Sequence, residues 1–191
     1  MNRVIKHQFK TSSFSKPNWQ IKLLFIGTFN PEGGESVPYY YGRNKNKFWE
    51  LLSDILKTQF CTKDKAFLTK LQIAGIACID LIDEIEAPEN LVNYILGKGY
   101  KDSTIINKKV KRNYNTSLIN EIITCNPNVC VFTTWGKGSN LKEWKMEVAK
   151  LGKVVSLVSP SMAAKVSSGM KKYEYMLSDW SMKVKPSLKA L

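Results

Sequence analysis

Four short apolar runs, separated by amphipathic segments, constrain the fold of this chain more than any other feature. They occupy residues 21–27, 76–81, 129–133 and 154–158. Each is mainly apolar rather than alternating, as expected of a strand covered on both faces. Between them the apolar period changes to that of a helix. Phe48, Leu51, Leu52 and Ile55 share one face of a helix predicted over residues 47–57. The same spacing predicts helices over 63–73, 89–96, 116–124, 141–150 and 170–182. Strands alternating with helices define an α/β fold. The expectation is a three-layer α/β/α sandwich with a central, mainly parallel four-stranded sheet. Residues 83–114 are acidic, then glycine-containing, then basic, and read as loop apart from their one helix. A single domain over residues 1–191 is expected, with its core at about 20–182 between loose basic tails.

Charge narrows the partners. Lys and Arg total 29 against 16 Asp and Glu, a formal net charge of +13. Such a balance attracts polyanions, nucleic acid before an anionic membrane surface. Basic residues recur at Arg43, Lys45 and Lys47, from Lys108 to Arg112, and at Lys165, Lys171 and Lys172, so separate segments can converge on one positive face. No apolar stretch approaches the roughly 20 residues of a membrane span, and the first residues lack the apolar core of a secretory signal. A monomer in the cytoplasm is expected, associated with the nucleoid if the source is bacterial. Cys61, Cys78, Cys125 and Cys130 form no CxxC pair, and His7 is the single histidine. That spacing offers neither a zinc nor an iron–sulfur site, and Cys78 and Cys130 read as reduced core thiols. No metal or organic cofactor is expected.

Ligands of an open parallel sheet bind beyond the carboxyl ends of its strands. Three segments in that position carry suggestive polar content: GTFNPEGG, TTWGKGS and SPSMAAK. The first lacks the Lys-Ser/Thr pair of a phosphate-binding loop and does not fit GxGxxG. Just downstream of it, VPYYYGRNKNKFWELL interleaves aromatics with Arg, Lys and Asn. Those types suit a nucleic-acid base: π faces to stack, amides to bond base edges, cations for phosphates.

Gly27-Thr28-Phe29-Asn30-Pro31 followed by Asn46-Lys47-Phe48-Trp49 resembles the first motif of the uracil-DNA glycosylase superfamily. Its hypoxanthine and mismatch-specific (thymine/uracil) branches are the most similar, and Tyr40-Tyr41 matches a pair in the hypoxanthine branch. Gly75-Ile76-Ala77-Cys78-Ile79-Asp80 and Lys101-Asp102-Ser103-Thr104-Ile105 resemble further segments of that branch, and Val158-Ser159-Pro160-Ser161-Met162-Ala163-Ala164 resembles the superfamily's second motif, all in the same order. The resemblance spans roughly residues 21–182.

It implies hydrolysis of a deaminated base, uracil or hypoxanthine, from damaged or mismatched DNA, duplex or single-stranded, as the first step of base excision repair. The base is flipped into a pocket because the glycosidic bond is shielded within the stack. A water-orienting amide falls to Asn46 or Asn30, with Asn46 preferred. Phe48 takes the place of the stacking aromatic; Phe29, Tyr40 and Tyr41 would line the pocket and Asp80 read a base edge. Ser159, Pro160 and Ser161 would hold flanking phosphates together with Lys165, Arg43 and Lys45, and Met162 would wedge into the vacated stack. Uracil-specific members carry a histidine ahead of the Pro-Ser pair, where this chain has Ser159, and this leaves the stabilisation of the departing base unassigned. Two other readings compete: a DNA-binding module of the same fold with weak or no catalysis, and an unrelated flavodoxin-like α/β enzyme.

Overall fold

The computed structural model describes residues 1–97, 102–136, 142–164 and 169–189. All four apolar runs form strands of one sheet: β2 (Leu23–Gly27), β3 (Ile76–Asp80), β6 (Cys130–Thr133) and β7 (Val154–Ser156). The order across it is β3-β2-β6-β7, and every neighbouring pair is parallel. Alternate residues of these strands feed two separate cores. Leu23, Phe25, Ile76, Cys78 and Phe132 face one side with α1 (Phe48–Leu56), α2 (Phe67–Ala74) and α7 (Lys172–Lys189). Leu24, Ile26, Ala77, Ile79 and Val131 face the other, against α3 (Glu89–Leu96), α5 (Thr116–Cys125) and Trp144 of α6 (Lys142–Ala149). Helices on both faces explain why the strands are apolar throughout. The α/β/α expectation holds. Among the described residues no helix is long and apolar enough to cross a membrane.

A second sheet departs from the expectation of irregular structure before and after α3. β1 (Asn2–Lys6), β4 (Ile82–Pro88) and β5 (Lys111–Tyr114) form an antiparallel sheet in the order β1-β4-β5, with the short α4 (Asp102–Ile105) between α3 and β5. Its central strand is acidic and its two neighbours are basic. Lys6 stands opposite Glu84, and Lys111 opposite Glu86 with an ion pair of 3.1 Å. Opposite charges across a ladder support the pairing, while Ile82, Ile85 and Ala87 of the acidic strand turn into the core. The N-terminal residues are therefore an edge strand rather than a loose tail. At the other end the last helix runs on to Lys189, through Pro186, beyond the predicted stop at 182.

Candidate active site

The two chain segments that resemble glycosylase motifs meet in space although more than a hundred residues separate them. Lys47 N–H donates to the Pro160 carbonyl at 2.8 Å, and Met162 N–H to the Lys45 carbonyl at 3.0 Å. Asn46 and Ser161 face each other across this short antiparallel bridge. Helix α7 supports the second segment from behind. Trp180 Nε1 donates to the Val158 carbonyl at 2.9 Å, and Asp179 accepts from Val158 N–H at 3.0 Å. Within it, Ser159 Oγ accepts from Ser161 N–H and Ser161 Oγ from Ala163 N–H, local turns that fix its path.

Between these segments and the ends of β2, β3 and β6 lies a cleft of about 950 Å³. Phe29, Asn30, Tyr41, Asn46, Asp80 and Thr134 line it, as do Arg43, Lys45, Ser159, Pro160 and Ser161. Met162 follows Ser161 in the chain and is 37% exposed. Lys165 lies outside the described residues.

Two of the expected base contacts lie elsewhere. Phe48 is fully buried and does not line the cleft; the ring of Tyr41 lies flat on it, 3.9 Å between centroids and 2° between planes. Tyr41 lines the cleft with Phe48 as its backing, together with Phe29, Trp135 and Tyr175. Tyr40 is likewise buried, stacked at 5.7 Å against the imidazole of His7. Periodicity could not separate these roles, because a core residue and a stacking residue at a helix start give the same apolar signal.

Tyr41 is held in the left-handed region, φ 58°, which a bulky L-residue seldom adopts. Its partners over-determine it. Thr134 Oγ1 lies 3.2 Å from the Ile26 carbonyl and 3.1 Å from the Tyr41 hydroxyl. The carbonyl can only accept, so Thr134 donates to it and receives the Tyr41 proton. Burial pushes the Tyr41 phenol well above its usual range, with further push from neighbouring Cys78 and Asp80. Tyr41 thus stays neutral.

Asp80 ends β3 inside the cleft, 3% exposed, directly opposite Gly27 in the sheet. One of its oxygens accepts from Asn30 Nδ2 at 3.2 Å and contacts His7 Nε2 at 2.8 Å. In the sequence His7 reads only as a lone N-terminal histidine, yet the fold buries it beside the site. No local signal announces it, since its partner is 73 positions away.

The two candidate amides present opposite atoms. Asn30 gives one of its two N–H to Asp80, which turns the amide nitrogen to the carboxylate and leaves the carbonyl oxygen, with the second N–H, for other partners. Asn46 does the reverse: its Oδ1 accepts Phe48 N–H at 3.0 Å in a local turn just before α1, which leaves its amide N–H groups for the cleft it lines. Thr28 donates to Asp102 at 3.0 Å at the cleft's edge. Among the described residues no group of three or more His, Cys, Asp or Glu is placed to hold a metal ion.

A parallel sheet clad by helices, with its cleft at the carboxyl ends of the strands and two motif loops facing across it, defines an α/β protein of the uracil-DNA-glycosylase-like fold. The chain is similar to the solution NMR structure of a candidate uracil DNA glycosylase from Methanosarcina acetivorans. The TM-score is 0.54 at 16% identity, over 96% of this chain and 99% of that one. At that identity the likeness shows the fold. No family model matches the chain, and no curated protein matches it.

Proposed function

We propose that the chain is a monofunctional DNA glycosylase that releases a deaminated base, uracil or hypoxanthine, flipped out of DNA into this cleft. The observation that carries the reading is the pair of amides with opposite polarity, Asn30 and Asn46, lining one cleft beside an aromatic face. Hydrolysis of a glycosidic bond needs an acceptor that orients water toward the sugar and a donor for the charge growing on the departing base. Asn30 offers the acceptor, because Asp80 holds its N–H. Asn46 offers the donor, because the start of α1 holds its oxygen. The preference for Asn46 as water-orienting residue therefore passes to Asn30, and Asn46 takes the leaving-group role that the missing histidine left open.

The base stacks on Tyr41. Arg43 and Lys45 on one segment and the Ser159–Ser161 turn on the other meet the flanking phosphates, with Met162 beside the gap left in the duplex. An amide cannot take a proton outright, so turnover is modest. The test is base release from single- and double-stranded oligonucleotides carrying uracil, hypoxanthine, xanthine or a thymine mispair, read as alkali-labile breaks. Loss of release in Asn30→Ala supports the reading. Salt-sensitive DNA binding without release from any of these substrates overturns it and leaves a binding module.

A further inference from the structure

The N-terminal segment does more than add an edge strand. Residues 6–8 run antiparallel to the loop that carries Asn30: Gln8 N–H donates to the Asn30 carbonyl and Glu32 N–H to the Lys6 carbonyl, both at 2.8 Å. His7 and Pro31 face each other across this bridge. Between these two backbone clamps, the His7 side chain passes inward to Asp80 and is itself 3% exposed. Its other ring nitrogen, Nδ1, accepts from Phe9 N–H at 3.0 Å. A nitrogen that accepts carries no proton, so the ring proton sits on Nε2 and is donated to Asp80. Phe9, Phe29 and Tyr40 enclose the imidazole, at centroid distances of 5.7, 5.8 and 5.7 Å, and fix its plane.

We infer that His7 is a positioning residue for the reaction proposed above: the Phe9–His7–Asp80–Asn30 chain sets which atom of the Asn30 amide meets the substrate. Without it, a primary amide can turn over with little change of shape, exchanging the acceptor that orients water for a donor that repels its hydrogens. An oriented carboxylate prevents this, because only N–H can face it. The carboxylate is itself oriented by the imidazole N–H. Donation of an N–H to a carboxylate polarises the amide, so the Asn30 oxygen becomes a better acceptor than that of a free amide. The arrangement acts from behind the site; His7 does not line the cleft.

The inference rests on the glycosylase reading, and its test separates the two. In His7→Gln the amide nitrogen reaches the place of Nε2, whereas in His7→Asn it reaches only that of Nδ1. The pair is matched in polarity, and thermal denaturation checks that both fold. Single-turnover base release in His7→Asn is expected to fall about 100-fold with substrate Kd within threefold, the size that a misplacement of about 1 Å costs. His7→Gln is expected to stay within about fivefold of wild type. The second readout needs no activity: in ¹⁵N-labelled protein the Asn30 side-chain amide gives two dispersed proton resonances, which move toward the free-amide position in His7→Asn but not in His7→Gln. Equal rates in the two variants, or an unmoved Asn30 amide in His7→Asn, overturns the inference. A wild-type protein that releases no base sinks the glycosylase reading instead, while the amide resonances still decide whether His7 orients Asn30.

Discussion

Gly27→Ala tests how closely the site is built. Gly27 ends β2 beside Asp80, and a methyl group there would stand 2.1 Å from Asp80 Oδ1 and 2.8 Å from the Tyr41 hydroxyl. Ordinary contact requires the carboxylate oxygen to retreat by roughly 1 Å, and a packed interior resists such a shift. The Asp80 side chain is 4% exposed and tethered to His7, so it cannot retreat without loosening that bond or the one to Asn30. Overpacking costs about 1–3 kcal/mol, and weakening a hydrogen bond to a buried charge adds a comparable amount. A loss of about 3 kcal/mol is expected, seen as a fall of roughly 1 M in the urea midpoint. Base release should drop about 100-fold because Asn30 loses its reference point. Gly169→Ala is the control, since a methyl group there meets nothing within 4 Å among the described residues. A Gly27→Ala protein within about 0.5 kcal/mol of wild type, with its rate intact, would refute the close approach and the role drawn from it.

Asn46→Asp keeps an acceptor for Phe48 N–H but loses the amide N–H groups. Chemical denaturation should show stability within about 0.5 kcal/mol of wild type, while single-turnover release falls at least tenfold. Tyr41→Phe removes one hydrogen bond, to Thr134, and should cost about 1 kcal/mol with lesion-DNA affinity nearly kept; Tyr41→Ala should lose that affinity in a fluorescence-anisotropy titration. Burial raises the Tyr39, Tyr40 and Tyr41 phenols well above their usual range. Their contribution is full below the unfolded pKa of about 10 and is lost as pH rises through the folded values. Absorbance at the phenolate band should therefore show these three ionising only with unfolding. Arg43→Glu and Lys45→Glu should each lower the slope of log Kd against log salt by about one or more.

The central sheet was legible because burial on both faces writes itself into a strand as uninterrupted apolar residues. β4 was not, because three of its seven residues are acidic and its strand character depends on basic partners at Lys6 and Lys111, far away in sequence. The cleft's address was legible too, from Gly27, Asn30, Asn46 and Asp80 at strand ends and in the loops beyond them. The division of labour among them was not. Which atom an amide shows depends on what holds the other one, and those partners, Asp80 for Asn30 and the start of α1 for Asn46, are known only once the chain is folded. Tyr41 and Phe48 make the same point. Each reads as an aromatic near Asn and Arg, and only the stacking order decides which one lines the cleft.

The loop after β2 is paired along both sides almost as a strand would be. From one side Leu81 N–H reaches the Gly27 carbonyl at 2.9 Å and Ile82 N–H the Thr28 carbonyl at 3.1 Å. From the other, residues 6–8 hold Asn30 and Glu32. The parallel sheet ends at Asp80 and the antiparallel sheet begins at Ile82, so the loop is wedged where one hands over to the other. The peripheral sheet, whose apolar residues pack into the main core, thus also holds this loop. An orienting amide gains from rigidity, because an error of about 1 Å can erase its effect. A loop anchored by one sheet alone would be free to pivot on its far side; anchored by two, it carries Asn30 with the precision of regular structure. The opposing wall is built from two segments that are bridged to each other at Asn46 and Ser161 and backed by α7. In the proposed reaction the firmly framed wall, which carries Asn30, would aim the water, and the bridged wall, which carries Asn46 and Ser161, would meet the DNA.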